Sequence, residues 1–178
     1  MRRATHAAEA RRLHDEATRA LDAGDPAAAV DLFDRAEARM MQGAQARLSQ
    51  AQGEAGAETQ THTQTHTHAH TQSDAHLLHM LHLCRGMAKA DLGRAAAAVV
   101  DARASLASAA RGDADGAGFD ARIALSDVLS DTGDHDGAVA ELLAAHASSP
   151  ASVEAAIGPR LHAAFLRMVL SHRERGHT

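Results

Sequence analysis

Residues 125–150 read LSDVLSDTGDHDGAVAELLAAHASSP, and this stretch decides the fold. Its Thr-Gly-Asp centre is typical of a turn between two helices, because glycine adopts the left-handed conformation that ends one helix and aspartate caps the next. On both sides of the turn, apolar and small residues recur at spacings of three and four, which is the period of a helix. The stretch therefore predicts a helical hairpin.

The skeleton of this hairpin occurs three times along the chain. Each copy has a small residue, a glycine seven residues later, an alanine five residues after the glycine, and apolar or small residues nine and twelve after it. The three sets are Ala17, Gly24, Ala29, Phe33 and Ala36; Gly86, Gly93, Ala98, Ala102 and Ser105; and Ser126, Gly133, Ala138, Leu142 and Ala145. Repeated helical hairpins usually stack into a solenoid that holds another protein.

The composition favours the same all-α class. The chain has 178 residues, of which 45% are hydrophobic and only 2% aromatic, with no Trp or Tyr. Alanine is the strongest helix former, and a core of small side chains suits closely packed helices better than a β-sandwich. The net charge of −5 and the lack of a basic patch with aromatic residues argue against a nucleic-acid partner.

No segment of the sequence resembles a membrane span or a secretory signal. No apolar run approaches the roughly 20 residues that a bilayer requires, and the basic N-terminus lacks the apolar stretch of a signal peptide. Cys84 is the only cysteine, which excludes an intramolecular disulfide and fits a reducing compartment. We therefore expect a cytoplasmic protein that does not contact a membrane.

The pattern divides the chain into five parts. They are a first hairpin at residues 5–48, a low-complexity insert at 49–73, a second hairpin at 74–111, a third hairpin at 115–150 and a C-terminal capping helix at 151–175. The insert contains a Thr/His alternation without an apolar face, which cannot offset its ordering entropy, so we predict that it is disordered. On the capping helix, one predicted apolar face consists of Leu161, Phe165, Met168 and Val169.

The three hairpins resemble the tetratricopeptide repeat family, whose unit is about 34 residues long. Gly24 and Gly93 lie 69 residues apart and Gly93 and Gly133 lie 40 apart, as expected for units of this length that carry insertions. The third hairpin matches the family pattern best, at Leu125, Ser126, Leu129, Gly133, Asp134, Ala138, Leu142, Ala145 and Pro150. The second departs from it at His82 and Lys89, where larger apolar or aromatic residues are usual.

The resemblance implies a protein partner, held in a concave groove that the first helix of each hairpin lines. The groove residues that it assigns here are Arg11, His14, Thr18, Asp22, Met80, Leu83, Cys84, Met87, Ile123, Asp127 and Asp131. An apolar centre with an acidic end favours an amphipathic or basic peptide or helix. Alternatively, Met80 and Leu83 only pack against the next helix.

The resemblance also implies an adaptor or co-chaperone-like role, with a chaperone among the candidate partners. The segment Ala144–Pro150 is similar to the end of a small, chaperone-associated member with three repeats. Family members that grip acidic chaperone tails use a clamp of Lys, Asn and Arg. The matching positions here are His14, Thr18, Cys84, Asp120 and Ala124, none of which fits that clamp. We therefore expect a different mode of binding.

Two other functions remain open from the sequence. Histidines are crowded into one span, which suggests a metal-binding protein; they are His62, His66, His68, His70, His76, His79 and His82. The spacing of His76, His79 and His82 drifts around a helix and no Cys or carboxylate cluster completes a shell, so no metal site is assigned. A structural helical subunit of a larger complex is the other alternative.

The sequence offers no motif for catalysis or for a cofactor. It has no glycine-rich phosphate loop, HExxH pair or nucleophile elbow. Cys84 and His82 are two residues apart, and side chains with that spacing point away from each other on a helix. We therefore expect neither an enzyme nor a cofactor.

Overall fold

The computed structural model describes residues 3–54, 63–112, 117–148 and 154–174. Within these ranges every element is a helix, so the predicted all-α class is confirmed. The helices are α1 (Arg3–Asp22), α2 (Pro26–Glu54), α3 (Thr63–Asp91), α4 (Ala95–Gly112), α5 (Ala117–Asp131), α6 (His135–Ser148) and α7 (Glu154–Glu174).

The helices pack in chain order into a solenoid of three hairpins and a final helix. Each helix contacts the next one along the chain, and the first helices of successive hairpins also touch, α1 with α3 and α3 with α5. The buried clusters follow this order: one is shared by α1, α2 and α3, and another by α5, α6 and α7. A third cluster is shared by α4, α5 and α6. Buried apolar residues therefore occur all along the described array, and α7 packs on the last hairpin as predicted.

The three turns have the same backbone geometry. Gly24, Gly93 and Gly133 all have positive φ, at 76°, 69° and 83°. At each turn the glycine N–H donates to the carbonyl three residues back, and the following N–H donates to the carbonyl five residues back, over 2.8–3.2 Å. This Schellman pattern satisfies the last carbonyls of the first helix and requires the left-handed residue that the sequence supplies.

Two of the three turns also cap the next helix with an aspartate. The Oδ1 atom of Asp25 accepts a hydrogen bond from the Ala28 N–H at 2.9 Å, and that of Asp134 accepts one from the Gly137 N–H at 3.0 Å. At the second turn the equivalent residue is Arg94, whose side chain has no acceptor atom. The second hairpin therefore lacks this cap.

The recurring small positions of the skeleton are buried in the structure. Ala17, Gly86 and Ser126 are buried on the first helices, and Ala98 is buried on α4. A Cβ atom added to Gly86 would lie 3.3 Å from the Ala98 carbonyl oxygen and 3.4 Å from the Asp101 Cβ. The close approach that the sequence predicts is thus present, and at Gly86 it leaves little room for a side chain.

The structure extends two helices into the segment predicted as a disordered insert. Helix α2 ends at Glu54 rather than near residue 48, and α3 begins at Thr63 rather than near residue 74; residues 55–62 lie outside the described residues. The end of α2 is rich in Ala and Gln, which favour helix. Two contacts also hold the neighbouring part of α3: Arg47 lies 2.5 Å from Asp74, and Arg11 donates to Ser73 Oγ at 2.8 Å.

The predicted apolar face of the last helix is wrong in part. The residues that pack inward from α7 are Ile157, Leu161, Ala164 and Met168. Phe165 and Val169, which the sequence places on the same face as Leu161 and Met168, are instead exposed to solvent. Helix α7 carries apolar residues on two sides, and periodicity alone does not decide which side packs.

Candidate protein-binding face

The candidate site is the face that α1, α3 and α5 form side by side, here named the α1–α3–α5 face. Its centre is apolar and lies on α3, where Met80, Leu83 and Cys84 are half-buried and Met87 is 52% exposed. An unbranched methionine adapts to differently shaped partners, which makes it common on binding surfaces. The structure therefore leaves an apolar side chain accessible at the middle of the predicted groove.

Two of the predicted groove residues on α1, Arg11 and Thr18, use their polar side-chain atoms within the chain. The guanidinium of Arg11 donates to Ser73, and the Thr18 hydroxyl donates to the His14 carbonyl oxygen at 3.0 Å. The His14 ring is half-buried, with its centroid 5.9 Å from that of Phe33. This end of the face thus offers fewer free polar groups than the sequence suggests.

Ile123 is the one predicted groove residue that the structure removes from the face. Its side chain is 7% exposed and belongs to the cluster that contains Val139, Leu142 and Ile157. The reason is that α7 packs against α5 and α6 and covers this position. Ile123 is therefore a core residue and not a contact residue for a partner.

Two arginines of α7 contact the acidic end of the α1–α3–α5 face. Arg160 lies 3.9 Å from Asp127, and Arg167 donates a hydrogen bond to Ser130 Oγ at 2.7 Å. These two arginines are seven residues apart, and so lie on one side of the helix. The chain itself thus places a helix with two basic residues against the acidic end of α5.

Three aspartates form a row along one edge of the α1–α3–α5 face. Asp22, Asp91 and Asp131 are the last residues of α1, α3 and α5, and each lies two residues before a turn glycine. All three are exposed, and none has a hydrogen bond or ion pair to the parts of the chain that the structure describes. An acid at a helix C-terminus is unfavourable because the helix dipole is negative there. Asp91 was not predicted, although its spacing from Gly93 matches the other two.

The junction between the first and second hairpins contains a network of charged side chains. The Arg85 guanidinium donates two bonds to the buried Asp101, at 2.8 and 3.0 Å, one to Asp34 at 2.7 Å and one to Glu37. Lys89 joins from α3, at 2.7 Å from Asp101. The bonds from Arg85 raise the pKa of its guanidinium against the effect of burial.

The network explains the two departures of the second hairpin from the repeat pattern. His82 Nε2 lies 2.9 Å from Glu37, and this bond, with those of Arg85, lowers the pKa of Glu37 to about 2. Lys89 binds Asp101. At the junction of the second and third hairpins the positions of Arg85 and Lys89 are taken by Leu125 and Leu129, which are buried. The two junctions therefore differ in chemistry.

The clustered histidines of α3 do not converge on one site. His79 is 2% exposed, and its Nδ1 lies 2.9 Å from Ser105 Oγ; burial lowers the pKa of the ring and so favours its neutral form. His82 binds Glu37, while His76 is exposed. Among the side chains that are described, no group of three or more could hold a metal ion. His62 lies outside the described residues, and nothing is shown of the side chains of His66, His68 and His70.

Cys84 carries a free thiol that burial makes less acidic. The residue is half-buried on α3, and desolvation raises the pKa of the thiol. A raised pKa keeps the sulfur protonated, which is the unreactive form of cysteine. Its contribution to the face is therefore that of a small apolar side chain.

The fold and this face define a class: an array of helical hairpins with one accessible, partly apolar side. Comparison of the chain with protein-family models, with curated proteins and with solved structures found no match. Of the described helices, none is both long and apolar enough to cross a bilayer.

Proposed function

We propose that this chain is a tetratricopeptide-repeat-like adaptor whose α1–α3–α5 face binds a basic amphipathic helix of a partner protein. The observation that carries the proposal is the exposed Met87 beside a row of aspartates that form no ion pair within the described residues. The side chain of Met87 would enter the apolar stripe of the bound helix. Basic residues on the flank of that helix would meet the aspartates.

The aspartate row supports a basic partner. Three repeats place an acid at the same position although the helix dipole disfavours it there, and the cost is not offset by an internal ion pair in the described chain. A cationic partner would relieve this cost. The net charge of −5 also speeds the approach of a positive partner over a distance of about 8–10 Å.

Helix α7 supports the same choice of ligand. It is an amphipathic helix that presents Arg160 and Arg167 to Asp127 and Ser130 on α5. One repeat earlier the position of Asp127 is taken by Met87, so a partner helix on α3 would meet an apolar side chain there and a carboxylate at Asp91. An acidic chaperone tail would be a poor ligand for this acidic face. A chaperone or another protein would instead bind through a basic helix.

A pair of designed peptides tests the proposal. Both have leucines at i, i+3, i+4 and i+7; one carries lysines and arginines on its polar face and the other carries glutamates. By fluorescence anisotropy with the full chain, we expect the basic peptide to bind at least about tenfold more tightly than the acidic one. Equal binding of the two peptides would refute the electrostatic part of the proposal.

The variant Met87→Glu tests the apolar part. We expect it to weaken binding of the basic helix at least about tenfold, since a carboxylate would be buried against the leucines of the peptide. The matched control is Val100→Glu, which introduces the same charge at an exposed position on α4. Circular dichroism confirms that both variants stay folded, and equal affinities of the two variants would remove Met87 from the site.

A further inference from the structure

Helix α7 has a second apolar side that nothing in the described chain covers. Its inner side packs on α5 and α6, as shown above. The outer side presents Phe165, Leu166, Val169 and Leu170, which are between 41% and 57% exposed. Their spacing of i, i+1, i+4 and i+5 places them together on one face. We name these four residues the outer stripe.

The outer stripe stands out among the exposed surfaces of the described chain. In a solenoid, an apolar surface of this kind is normally covered by a neighbouring helix or by a partner. Here four of the nine large apolar side chains that are exposed in the described structure lie on this single helix. A contiguous apolar patch on a water-exposed surface marks an interaction site more often than scattered apolar residues do.

We propose that the outer stripe is a self-association surface, on which the α7 helices of two copies of the chain pack antiparallel. The arrangement of residues is self-complementary about a point between Arg167 and Met168. In an antiparallel pair centred there, Phe165 faces Leu170 of the second copy, and Leu166 faces Val169. Each stripe thus covers all four residues of the other under two-fold symmetry.

The orientation and the choice of a second copy follow from charge. The face that carries the stripe also carries His162 at one end and Arg173 at the other. A parallel pair of helices would bring the two Arg173 side chains together, whereas an antiparallel pair would keep them apart. The stripe itself has no charged residue, and it offers a charged peptide no ion pair. An anionic membrane is disfavoured because the chain carries a net charge of −5.

The size of the stripe sets the expected strength of the dimer. Helix α7 has 21 residues and is therefore about 30 Å long. A contact about one helix wide along that length buries on the order of 300 Å² per copy, against about 800 Å² per partner in a stable complex. We therefore expect a weak, reversible dimer, which salt strengthens by screening the like net charges.

Sedimentation equilibrium of the full chain, from about 5 to about 500 µM, tests the proposal. The expected result is a monomer–dimer equilibrium that Leu166→Glu weakens at least about tenfold. Val100→Glu adds the same charge at another exposed position and is expected to leave it unchanged, as is Met87→Glu on the α1–α3–α5 face. If Leu166→Glu does not fold, Val169→Ser replaces it, with a smaller loss of dimer expected.

Three results would overturn the proposal. The first is a wild-type chain that stays monomeric over the whole concentration range. The second is an equal loss of dimer in Val100→Glu and Leu166→Glu. The third is a monomeric chain that co-sediments with vesicles of phosphatidylserine and phosphatidylcholine and loses this binding in Leu166→Glu, which would assign the stripe to a membrane. None of these outcomes affects the binding of the basic peptide to the α1–α3–α5 face.

Discussion

At the second turn, Arg94 occupies the position at which aspartate caps the following helix in the other two turns. The backbone of this turn is the same as in the others, with Arg94 N–H donating to the Lys89 carbonyl oxygen at 2.8 Å. Only the side chain differs, and the first N–H groups of α4 therefore lack the acceptor that Asp25 and Asp134 provide. This residue is a local weakness in an otherwise uniform turn.

We expect Arg94→Asp to raise the free energy of unfolding by about 0.5–1.5 kcal/mol, measured by urea denaturation. Asp91 lies close to this turn and its charge would offset part of the gain, so Arg94→Asn is the matched variant without that repulsion. Arg94→Ala should give no gain, since alanine has no acceptor. A stability of Arg94→Asn equal to that of Arg94→Ala would contradict the capping explanation.

Gly86 shows a second effect that belongs to a single residue. We expect Gly86→Val to lower the free energy of unfolding by about 1–3 kcal/mol, because its side chain would press on the Ala98 carbonyl and the Asp101 side chain of α4. Gly118 on α5 is the control, since no atom lies within 4 Å of a Cβ added there. Gly118→Ala should stabilise by up to about 1 kcal/mol through helix propensity alone. Effects of the same sign at both positions would argue against close packing at Gly86.

At the scale of elements, the charged network between α2, α3 and α4 could not be predicted from local sequence patterns. The departures at His82 and Lys89 are visible in the sequence as breaks in the apolar pattern. Their partner Glu37 lies 45 residues before His82, and no local spacing links the two. The positions of helices and turns follow from local sequence patterns. The charged network and the burial of Ile123 by α7 depend instead on which helices become neighbours in the fold.

The junction also predicts how stability depends on pH. The folded chain holds the pKa of Glu37 at about 2, below its ordinary value of 4.5, so the ionised form stabilises the fold. This contribution is complete above about pH 5 and is lost as the pH falls from about 4.5 towards 2. We expect a loss of about 1–2 kcal/mol, smaller than the full shift implies because the side chain is partly exposed to water.

Urea denaturation at several pH values between 7 and 3 measures this effect. In Glu37→Gln, the part of the pH dependence that Glu37 causes should disappear. The control is Glu9→Gln, which removes the surface ion pair with Arg39. Its free energy of unfolding should follow a pH profile nearly parallel to that of the wild type. Parallel profiles for the wild type and Glu37→Gln would show that the junction does not depend on this charge.

At the scale of the whole molecule, the chain has two separate candidate contact surfaces. The α1–α3–α5 face combines Met87 with the aspartate row, and the outer stripe lies at the C-terminal end of the array. The first is polar at its edge and is expected to prefer a basic helix; the second is uncharged and suits an identical copy. A dimer through α7 would therefore present two binding faces to a partner, and the avidity of such a pair exceeds that of one face.

The whole array could be predicted from the sequence to the level of hairpins and their order, since the skeleton of small residues and glycines is local. The end of α2 and the start of α3 could not, because a polar segment without periodicity gives no boundary signal. The contacts of α3 with Arg11 and Arg47 also join residues that are far apart in the sequence. The sequence also did not determine which side of α7 packs on α5 and α6, because both sides are apolar. In each case the missing information lies in contacts between distant parts of the chain.

Because the two junctions differ in chemistry, the first hairpin packs well only against the second hairpin and not against the third. If the first hairpin docked on α5 instead of α3, Glu37 would meet Leu125 in place of Arg85, and its carboxylate would lose that ion pair. Arg85 would remain buried without its partners on α2, which costs far more than an apolar mismatch. We expect the charged joint to disfavour docking of the first hairpin on the wrong neighbour during folding, a hazard for any chain built from units that share one backbone shape.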